Sequence, residues 1–264
     1  MEERVKYFAN LLVIFSILAI GAGCCTSVRT IVPPVLNEEQ KNIGVTERVI
    51  DSTVALVIGP EEDKTSYCAG VWVDSSTILT ANHCAEVIGR TIFEVPESMP
   101  YNAVGDPIAF VNHGDISENG ELPKGTPWLG IIESVDKEKD LAKIIVIANT
   151  STHSVVSLAE GKLVPGQDVH IVGHTLSLGW SYTRGYISSA RILEGPEIGG
   201  EAVISKVFQI SAPVWVGNSG GGAFDSTGKL IGICSWVNIR GPSISYFIHR
   251  DEIKNFLKIK SLKP

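Results

Sequence analysis

The 264-residue sequence lacks several features that would assign a function class directly. It has no cluster of lysine and arginine, and its formal net charge is −7, so the electrostatic footprint of a nucleic-acid-binding protein is missing. It has no HExxH or CxxC motif, so we expect no metal site and no cofactor. No segment has low complexity. These absences argue against nucleic-acid binding and metal chemistry and leave other enzyme and binding functions open.

Long segments with helical periodicity are also scarce. Residues 249–260 alone predict a helix, with Ile253, Phe256 and Leu257 on one face. Short runs rich in Val, Ile, Tyr, Phe and Thr, bounded by Gly, Pro, Asn and Asp, predict strands. They cover residues 52–59, 68–74, 76–81, 141–148, 168–174, 183–193, 205–212, 229–237 and 243–248. Residues 90–128 lack a clear period, and we interpret them as a long insertion that could contain a hairpin. The pattern predicts an all-β sandwich or barrel.

The first 25 residues have the layout of an export signal. A short charged start precedes an apolar run from Phe8 to Ile20 and a zone of small residues. The run is short for a membrane span, which needs about 20 residues, although an uncleaved anchor stays open if the glycines up to Gly23 are included. The letters "GAGCC" partly match a bacterial lipobox, with Cys24 as the lipid-bearing residue. Secretion, lipidation and anchoring are therefore all open, and residues 26–47 predict a polar tether.

Cysteine is sparse, with five residues in the chain. Cys24 and Cys25 belong to the predicted signal zone. Outside the cytosol, a pair in the folded part can oxidise. Cys68 and Cys84 flank a strand-like stretch and are the natural pair, which leaves Cys234 unpaired.

The stretch "VWVGNSGGGAF", residues 214–224, places Ser219 in a glycine-rich turn. A serine hydroxyl is a poor nucleophile unless a base lies beside it. His83, in "ILTANHC", can accept its proton near neutral pH. Asp140 opens the apolar run "KDLAKIIVI" and can hold the imidazole in one tautomer. The amides of Gly217 and Ser219 can then bind the oxyanion of a tetrahedral intermediate.

Each of these elements also has a purely structural interpretation. A glycine-rich turn can be a hairpin, a single histidine can be part of the core, and an aspartate at a strand start can be a turn residue. The three motifs together, in the order His, Asp, Ser and with the cysteine pair, favour a catalytic set. We expect the remaining histidines to be structural or exposed; they are His113, His153, His170, His174 and His249.

Taken together, the motifs "TANHC", "DLA" and "GNSGG" resemble those of the trypsin-like (chymotrypsin-fold) serine proteases, over residues 48–258. The resemblance implies two six-stranded antiparallel β-barrels with the active site in the cleft between them, and peptide-bond hydrolysis. It also implies that the Cys68–Cys84 disulfide ties the histidine loop to the preceding strand. "GICSW" matches the segment that pairs with substrate, whose members would be Ser235, Trp236 and Val237.

The sequence is most similar to the bacterial HtrA and glutamyl-endopeptidase branches and departs from other members of the family. Asn218 stands where pancreatic enzymes have the aspartate that pairs with a freed N-terminus. Too few residues follow the protease region for a PDZ domain. Ser235 replaces a histidine of the glutamyl enzymes, so specificity for acidic residues loses support. Pro213 in the pocket floor and walls near Tyr246 predict a small or medium apolar side chain before the cleaved bond.

The expected function is that of an exported serine endopeptidase, held at a membrane by its N-terminal segment, with protein or peptide substrates. The alternative is a protease-fold surface protein that binds partners and turns over little. The complete His83, Asp140 and Ser219 set favours the enzyme, because non-enzymes of this fold usually lose one of the three.

Overall fold

The computed structural model describes residues 44–59, 64–96, 99, 101–147, 152–198, 201–237 and 244–258. The predicted signal or anchor, Cys24 and the tether up to residue 43 lie outside the described residues. Within the described ranges, no helix is both long enough and apolar enough to cross a membrane.

The first half of the described chain forms a closed antiparallel barrel. A short helix, α1 (Val45–Asp51), precedes it, and α2 (Asn82–Ile92) follows its third strand. The strand order around the barrel is β1-β2-β3-β6-β5-β4. Its strands are β1 (Thr53–Ile58), β2 (Thr65–Trp72), β3 (Thr77–Thr80), β4 (Pro107–Asn112), β5 (Trp128–Asp136) and β6 (Leu141–Ile145).

The second half forms another closed antiparallel barrel, ordered β10-β11-β12-β9-β8-β7, and ends in helix α3 (Arg250–Lys258). Two six-stranded barrels followed by a helix confirm the predicted fold class. The strands are β7 (Asp168–Gly173), β8 (Ser181–Ile198), β9 (Glu201–Ser211), β10 (Gly222–Phe224), β11 (Leu230–Val237) and β12 (Ser245–His249).

Strand alternation divides the apolar side chains between two cores. Successive residues of a strand face opposite sides, so Trp72 fills the first barrel while its neighbour Val71 faces the second. The indole N–H of Trp72 donates to Asn112 Oδ1 at 2.9 Å, which satisfies both buried polar groups. Burying a side chain of this size contributes about 2–3 kcal/mol. The first barrel therefore has a complete core of its own.

A separate apolar cluster joins the two barrels. Val71, Leu79 and Leu141 of the first barrel pack with side chains of the second, including Val172 and Phe224. All five side chains are 1% exposed or less. Leu141 directly follows Asp140 in the chain, so this cluster packs the two barrels against each other beside the candidate site.

The structure differs from the sequence predictions in five elements. Residues 90–128 are not an insertion, because they contain β4, which pairs with both β1 and β5. Strands β5 and β10 were not predicted, and neither was helix α2, which begins directly after β3. Helix α1 begins at Val45, inside the predicted tether.

Cys68 and Cys84 form a disulfide, as expected, and join β2 to α2. Cys234 is free and buried. Burial, and to a lesser degree the charge of Asp140, raises the pKa of the Cys234 thiol, so it stays protonated and behaves as a small apolar group.

The disulfide should contribute substantially to stability. It spans a sequence separation of 16 residues, for which loop-closure entropy gives about 3 kcal/mol. We expect dithiothreitol to lower the free energy of unfolding of the wild type by about this amount, measured by urea denaturation. The Cys68→Ala/Cys84→Ala double variant is the control and should be insensitive to the reductant. A wild type that is equally insensitive would contradict the prediction.

Candidate active site

Asp140 lies at the centre of the candidate site. It precedes β6 in a left-handed backbone conformation, with φ of 54°, which aspartate tolerates better than most residues. Its side chain is 1% exposed. The carboxylate accepts hydrogen bonds from the backbone amide of His83, at 2.9 Å, from the His83 ring and from the Ser235 hydroxyl. A buried carboxylate is expensive unless paired, and here both of its oxygens have donors.

His83 is the second residue of α2, and the same aspartate orients it. Nδ1 of His83 lies 2.9 Å from Oδ2 of Asp140 and 3.1 Å from Oδ1. Because a carboxylate only accepts, Nδ1 carries the proton and Nε2 is left to accept one. The N-cap residue of α2, Ala81, provides no side-chain cap. Asp140 takes that place, where a negative charge is also favoured by the helix dipole.

The surroundings of His83 change its basicity. Burial lowers the pKa of its imidazole, but the charge and the hydrogen bond of Asp140, helped by the charge of Glu86, raise it, and the net pKa is raised. The side chain remains 14% exposed. His83 is therefore a stronger base than a free histidine and can still be reached from the cleft.

Ser219 is carried by a turn whose glycines cannot be replaced. Gly217 has φ of 98°, and a Cβ there would lie 2.1 Å from the carbonyl oxygen of His174. Gly220 has φ of 79°, and a Cβ there would lie 2.1 Å from Thr80 Oγ1. The Ser219 carbonyl accepts from the amide of Ala69 at 2.8 Å. These contacts hold the Ser219 turn of the second barrel against β2 and β3 of the first barrel, and β3 leads into the helix that carries His83.

The structure does not join all three predicted catalytic residues by hydrogen bonds. Asp140 binds His83, but within the described residues no hydrogen bond links His83 to Ser219. Contacts between nucleophile and base are often longer before substrate binds. The amides of Gly217 and Ser219 donate to no other described residue, so they are available to an oxyanion.

Asn218 is buried and fully engaged. Its side-chain amide donates to Thr175 Oγ1 at 2.8 Å and to the Trp215 carbonyl at 3.1 Å, and its backbone amide donates to the same carbonyl at 3.1 Å. The residue is 3% exposed. The neutral side chain of Asn218 is thus held at the position before Ser219 by Thr175 and Trp215. Neither of these partners is the ammonium group of a chain terminus.

The predicted substrate-binding residues have different positions. Ser235 is 2% exposed. The pairing of β11 with β12 shifts its register between Cys234 and Trp236, and at this shift the Ser235 hydroxyl donates to Asp140. Sequence reasoning missed this second role, because a β-bulge leaves no clear signal in the sequence. Trp236 stacks on Tyr246 with ring centroids 5.2 Å apart. The backbone of Val237 pairs with that of Ser245.

Pro213, expected in a pocket floor, is exposed, whereas the following residue, Val214, is buried at 9% exposure.

One cluster has the composition of a metal site. Ligand atoms of Cys68, His83 and Cys84 lie within 4.8 Å of one another. The two sulfurs are joined in the disulfide and so provide no thiolate, which is the form that binds metal. The geometry of this cluster therefore follows from the disulfide beside the histidine.

Comparison with known proteins identifies the domain that carries this site. The family model for the trypsin-like peptidase domain matches residues 68–233, which includes His83, Asp140 and Ser219. The chain belongs to the trypsin-like peptidase family.

Curated relatives of this peptidase domain are HtrA proteins. A "Serine protease HtrA-like" protein of Staphylococcus aureus (strain bovine RF122 / ET3-1) is 30% identical over 181 residues, covering 62% of this chain and 23% of that protein. "Serine protease HTRA3" of Rattus norvegicus is 30% identical over 137 residues, covering 52% of this chain and 29% of that protein. The chain thus spans about a quarter of the length of the curated relatives it matches.

Solved structures share the fold of this peptidase domain. The Rv3671c protease from M. tuberculosis, in its active form, superposes with a TM-score of 0.63 at 22% identity, covering 92% of this chain and 96% of that chain. The HtrA-type protease AlgW with tripeptide gives a TM-score of 0.61 at 18% identity, covering 81% and 61% respectively.

A buried histidine supports the glycine turn of the peptidase domain from behind. The His174 amide donates to the Gly217 carbonyl at 3.2 Å, and the Nδ1 atom lies 2.9 Å from the Gly179 carbonyl oxygen. His174 is 0% exposed, and its Nε2 has no partner among the described residues. Burial lowers the pKa of His174 to about 4, opposed by the Gly179 hydrogen bond and assisted by the charge of His113. The residue is therefore neutral at pH 7.

This histidine should make the protein sensitive to acid. The pKa of His174 is lower in the folded state, about 4, than in the unfolded state, about 6.5. The unfolded state therefore binds more protons between these values, and stability falls as the pH drops from 6.5 to 4. We expect His174→Gln, which keeps a donor for Gly179, to remove up to about 3 kcal/mol of this loss.

The measurement is urea unfolding of both proteins at pH 7 and pH 4. Comparing the change between the two pH values separates titration from any general cost of the substitution. His249, whose pKa is also lowered to about 4, mainly by burial, is present in both proteins. It therefore contributes the same pH dependence of stability to each. Identical pH dependence in the two proteins would show that His174 does not titrate in this window.

Proposed function

We propose that the protein is a serine endopeptidase in which Ser219 is the nucleophile, His83 the general base and Asp140 the residue that orients His83. The observation that carries the proposal is the buried Asp140 carboxylate bound to Nδ1 of His83, beside a glycine turn that presents Ser219 and two free amides. The relatives named serine proteases support it.

The reaction follows from the positions of the protons. Ser219 Oγ attacks the carbonyl carbon of the peptide bond, and its proton passes to Nε2 of His83. The developing oxyanion accepts hydrogen bonds from the amides of Gly217 and Ser219. His83 then gives the proton to the amide nitrogen as the C–N bond breaks, which leaves an acyl ester on Ser219. Water, deprotonated by His83, attacks this ester and releases the acid and the free serine.

The substrate is proposed to be a protein or peptide with an apolar residue before the cleaved bond. Trp236 and Tyr246, which stack on each other and are partly exposed, provide apolar surface on the segments predicted to form the pocket. The AlgW structures contain a tripeptide or a decapeptide, which supports peptide binding on this fold. Since local partners satisfy Asn218, we further propose that activity does not require insertion of a newly formed N-terminus.

The catalytic assignment predicts that Ser219→Ala and His83→Ala each lower turnover of an apolar peptide substrate by about 10⁴-fold or more, because the set acts as a unit. Both should fold as the wild type does, measured by circular dichroism. Covalent labelling of Ser219 by a fluorophosphonate should disappear in both variants. Ser226→Ala, an exposed serine on another turn, is the matched control and should keep activity and labelling.

Retention of most of the turnover by Ser219→Ala would overturn the assignment. A wild type that binds peptide but is neither labelled nor active would instead support the alternative, a protease-fold binding protein. The absence of a hydrogen bond between Ser219 and His83 in the described chain is the observation that makes this outcome worth testing.

We also propose that the protein is exported and held at the extracytoplasmic face of a membrane by its N-terminal segment. The charged start, the apolar run and the "GAGCC" zone support this. The Cys68–Cys84 disulfide is also in keeping with an oxidising compartment. Stable attachment requires more than one acyl chain or an uncleaved span.

The two kinds of attachment can be separated at Cys24. If Cys24 is the lipidated first residue, Cys24→Ala should release or mislocalise the protein, while the matched Cys25→Ala variant stays in the membrane fraction. Intact mass of membrane-extracted wild type should then show the loss of residues 1–23 and an added lipid. If the segment is an uncleaved anchor, neither variant should move and residues 1–23 should persist. A soluble mature chain that starts after residue 25 would contradict both.

A further inference from the structure

A cavity lies at the first turn of α3, and its lining includes none of the candidate catalytic residues. Its volume is about 380 Å³, within the range of sites for small ligands. Its walls come from α3 and from the loop that precedes β7. The lining residues are Leu158, Ala159, Glu160, Gly161, Arg250, Asp251 and Lys254.

Arg250 is the unusual member of this lining. Its side chain is 8% exposed, and Nη1 is buried without a hydrogen-bond partner among the described residues. Oδ1 of Asp251 is 3.9 Å from Nε, which is beyond hydrogen-bond distance. A buried guanidinium with an unused donor costs free energy, and a negatively charged ligand in the cavity that Arg250 lines would lower that cost.

The neighbouring carboxylate is already occupied. Asp251 Oδ2 accepts a hydrogen bond from Lys206 Nζ and lies 3.3 Å from Nδ1 of His249. The Asp251 charge is therefore engaged by Lys206, while Nδ1 of His249 accepts from the Asp251 amide, and Asp251 makes no hydrogen bond to Arg250. Since Arg250 lines the cavity, a ligand bound there can provide the acceptor that the guanidinium lacks.

The other groups restrict the ligand. Lys254 follows Arg250 by four residues, so both lie on one face of α3, and Lys254 is exposed at the rim. Glu160 lies in the same lining, while Leu158 and Ala159 form an apolar wall. We propose that the cavity binds a small organic carboxylate, with Arg250 donating to the carboxylate, Lys254 at the rim and the apolar part against Leu158 and Ala159.

A carboxylate fits this lining better than a phosphate. The planar guanidinium matches a carboxylate in a two-bond arrangement. The carboxylates of Glu160 and Asp251 would repel a dianion more strongly than a monoanion. The apolar wall also gives a short hydrocarbon group a surface that inorganic phosphate cannot use. The ligand can be a free acid or the C-terminal end of a peptide, since both present the same group.

The test uses the full-length Ser219→Ala protein, so that no peptide is cleaved, and measures binding by calorimetry and by the shift in melting temperature. The probes are butyrate, acetyl-Leu-Ala with a free C-terminus, the same peptide as its amide, and inorganic phosphate. We expect butyrate or the free-acid peptide to bind and raise the melting temperature, and the amide not to. Binding of butyrate alone assigns a free acid, whereas binding of the peptide acid assigns a peptide end.

Substitutions identify the groups responsible. Arg250→Met should weaken binding by about tenfold or more, Lys254→Met by a few-fold, and the exposed control Lys229→Met not at all. Without ligand, Arg250→Met should melt no lower than its parent, because it removes an unpaired buried charge. Arg250→Lys keeps the charge without the planar fork and should also weaken binding, which provides a test if the methionine variant fails to fold.

Three results would overturn the proposal: no response to butyrate or to the peptide acid, equal binding by the Arg250 variants, or phosphate binding as tightly as the carboxylates. These results are independent of whether the protein is a peptidase, because the site shares no residue with the catalytic set.

Discussion

The buried carboxylate of Asp140 is the constraint on which the candidate active site depends. Asp140 opens a strand of the first barrel, whereas Ser235, one of its donors, belongs to the second. Its other donors are the ring and the backbone amide of His83. If the barrels separated, the carboxylate would lose a donor and stay partly unpaired in an apolar region, which is costly. The orientation of the His83 imidazole is therefore coupled to the packing of the two barrels, and the apolar cluster between them acts directly on the site.

The position of Ser219 depends on backbone contacts in the same region. Its carbonyl is bound by Ala69, and Gly220 fits against Thr80 so closely that any side chain would collide. These residues belong to, or border, the strands β2 and β3, and β3 leads directly into the helix that carries His83. The nucleophile and the base are thus positioned by one continuous piece of the first barrel, although no direct hydrogen bond between them is formed in the described chain.

Much of this could be read from the sequence, and the exceptions have a common physical cause. Short runs rich in Val, Ile, Tyr, Phe and Thr predicted most strands, and Ser219, His83 and Asp140 stand out by the motifs that surround them. Helix α2 was missed because its N-cap, Ala81, gives no capping signal; its first turn is bound by Asp140, 57 residues away in sequence. Its interior glycine, Gly89, accommodates the ring of Tyr101. The role of Ser235 was missed because it depends on a bulge. Helix α2 and the role of Ser235 are thus both fixed by tertiary contacts, which local patterns do not encode.

The pKa values of the histidines show that the partner of each ring, more than its burial, decides which one can act as a base. Burial lowers the pKa of any histidine because it disfavours the charged form. His174 and His249 follow this rule, with pKa values of about 4, and the pKa of His113 is lowered in the same way. His83 experiences the same desolvation, yet its pKa is raised because it faces the Asp140 carboxylate directly. Among these four, only His83 combines a raised pKa with a free Nε2 near a serine turn, so the partner of a histidine, and not its depth, identifies the base.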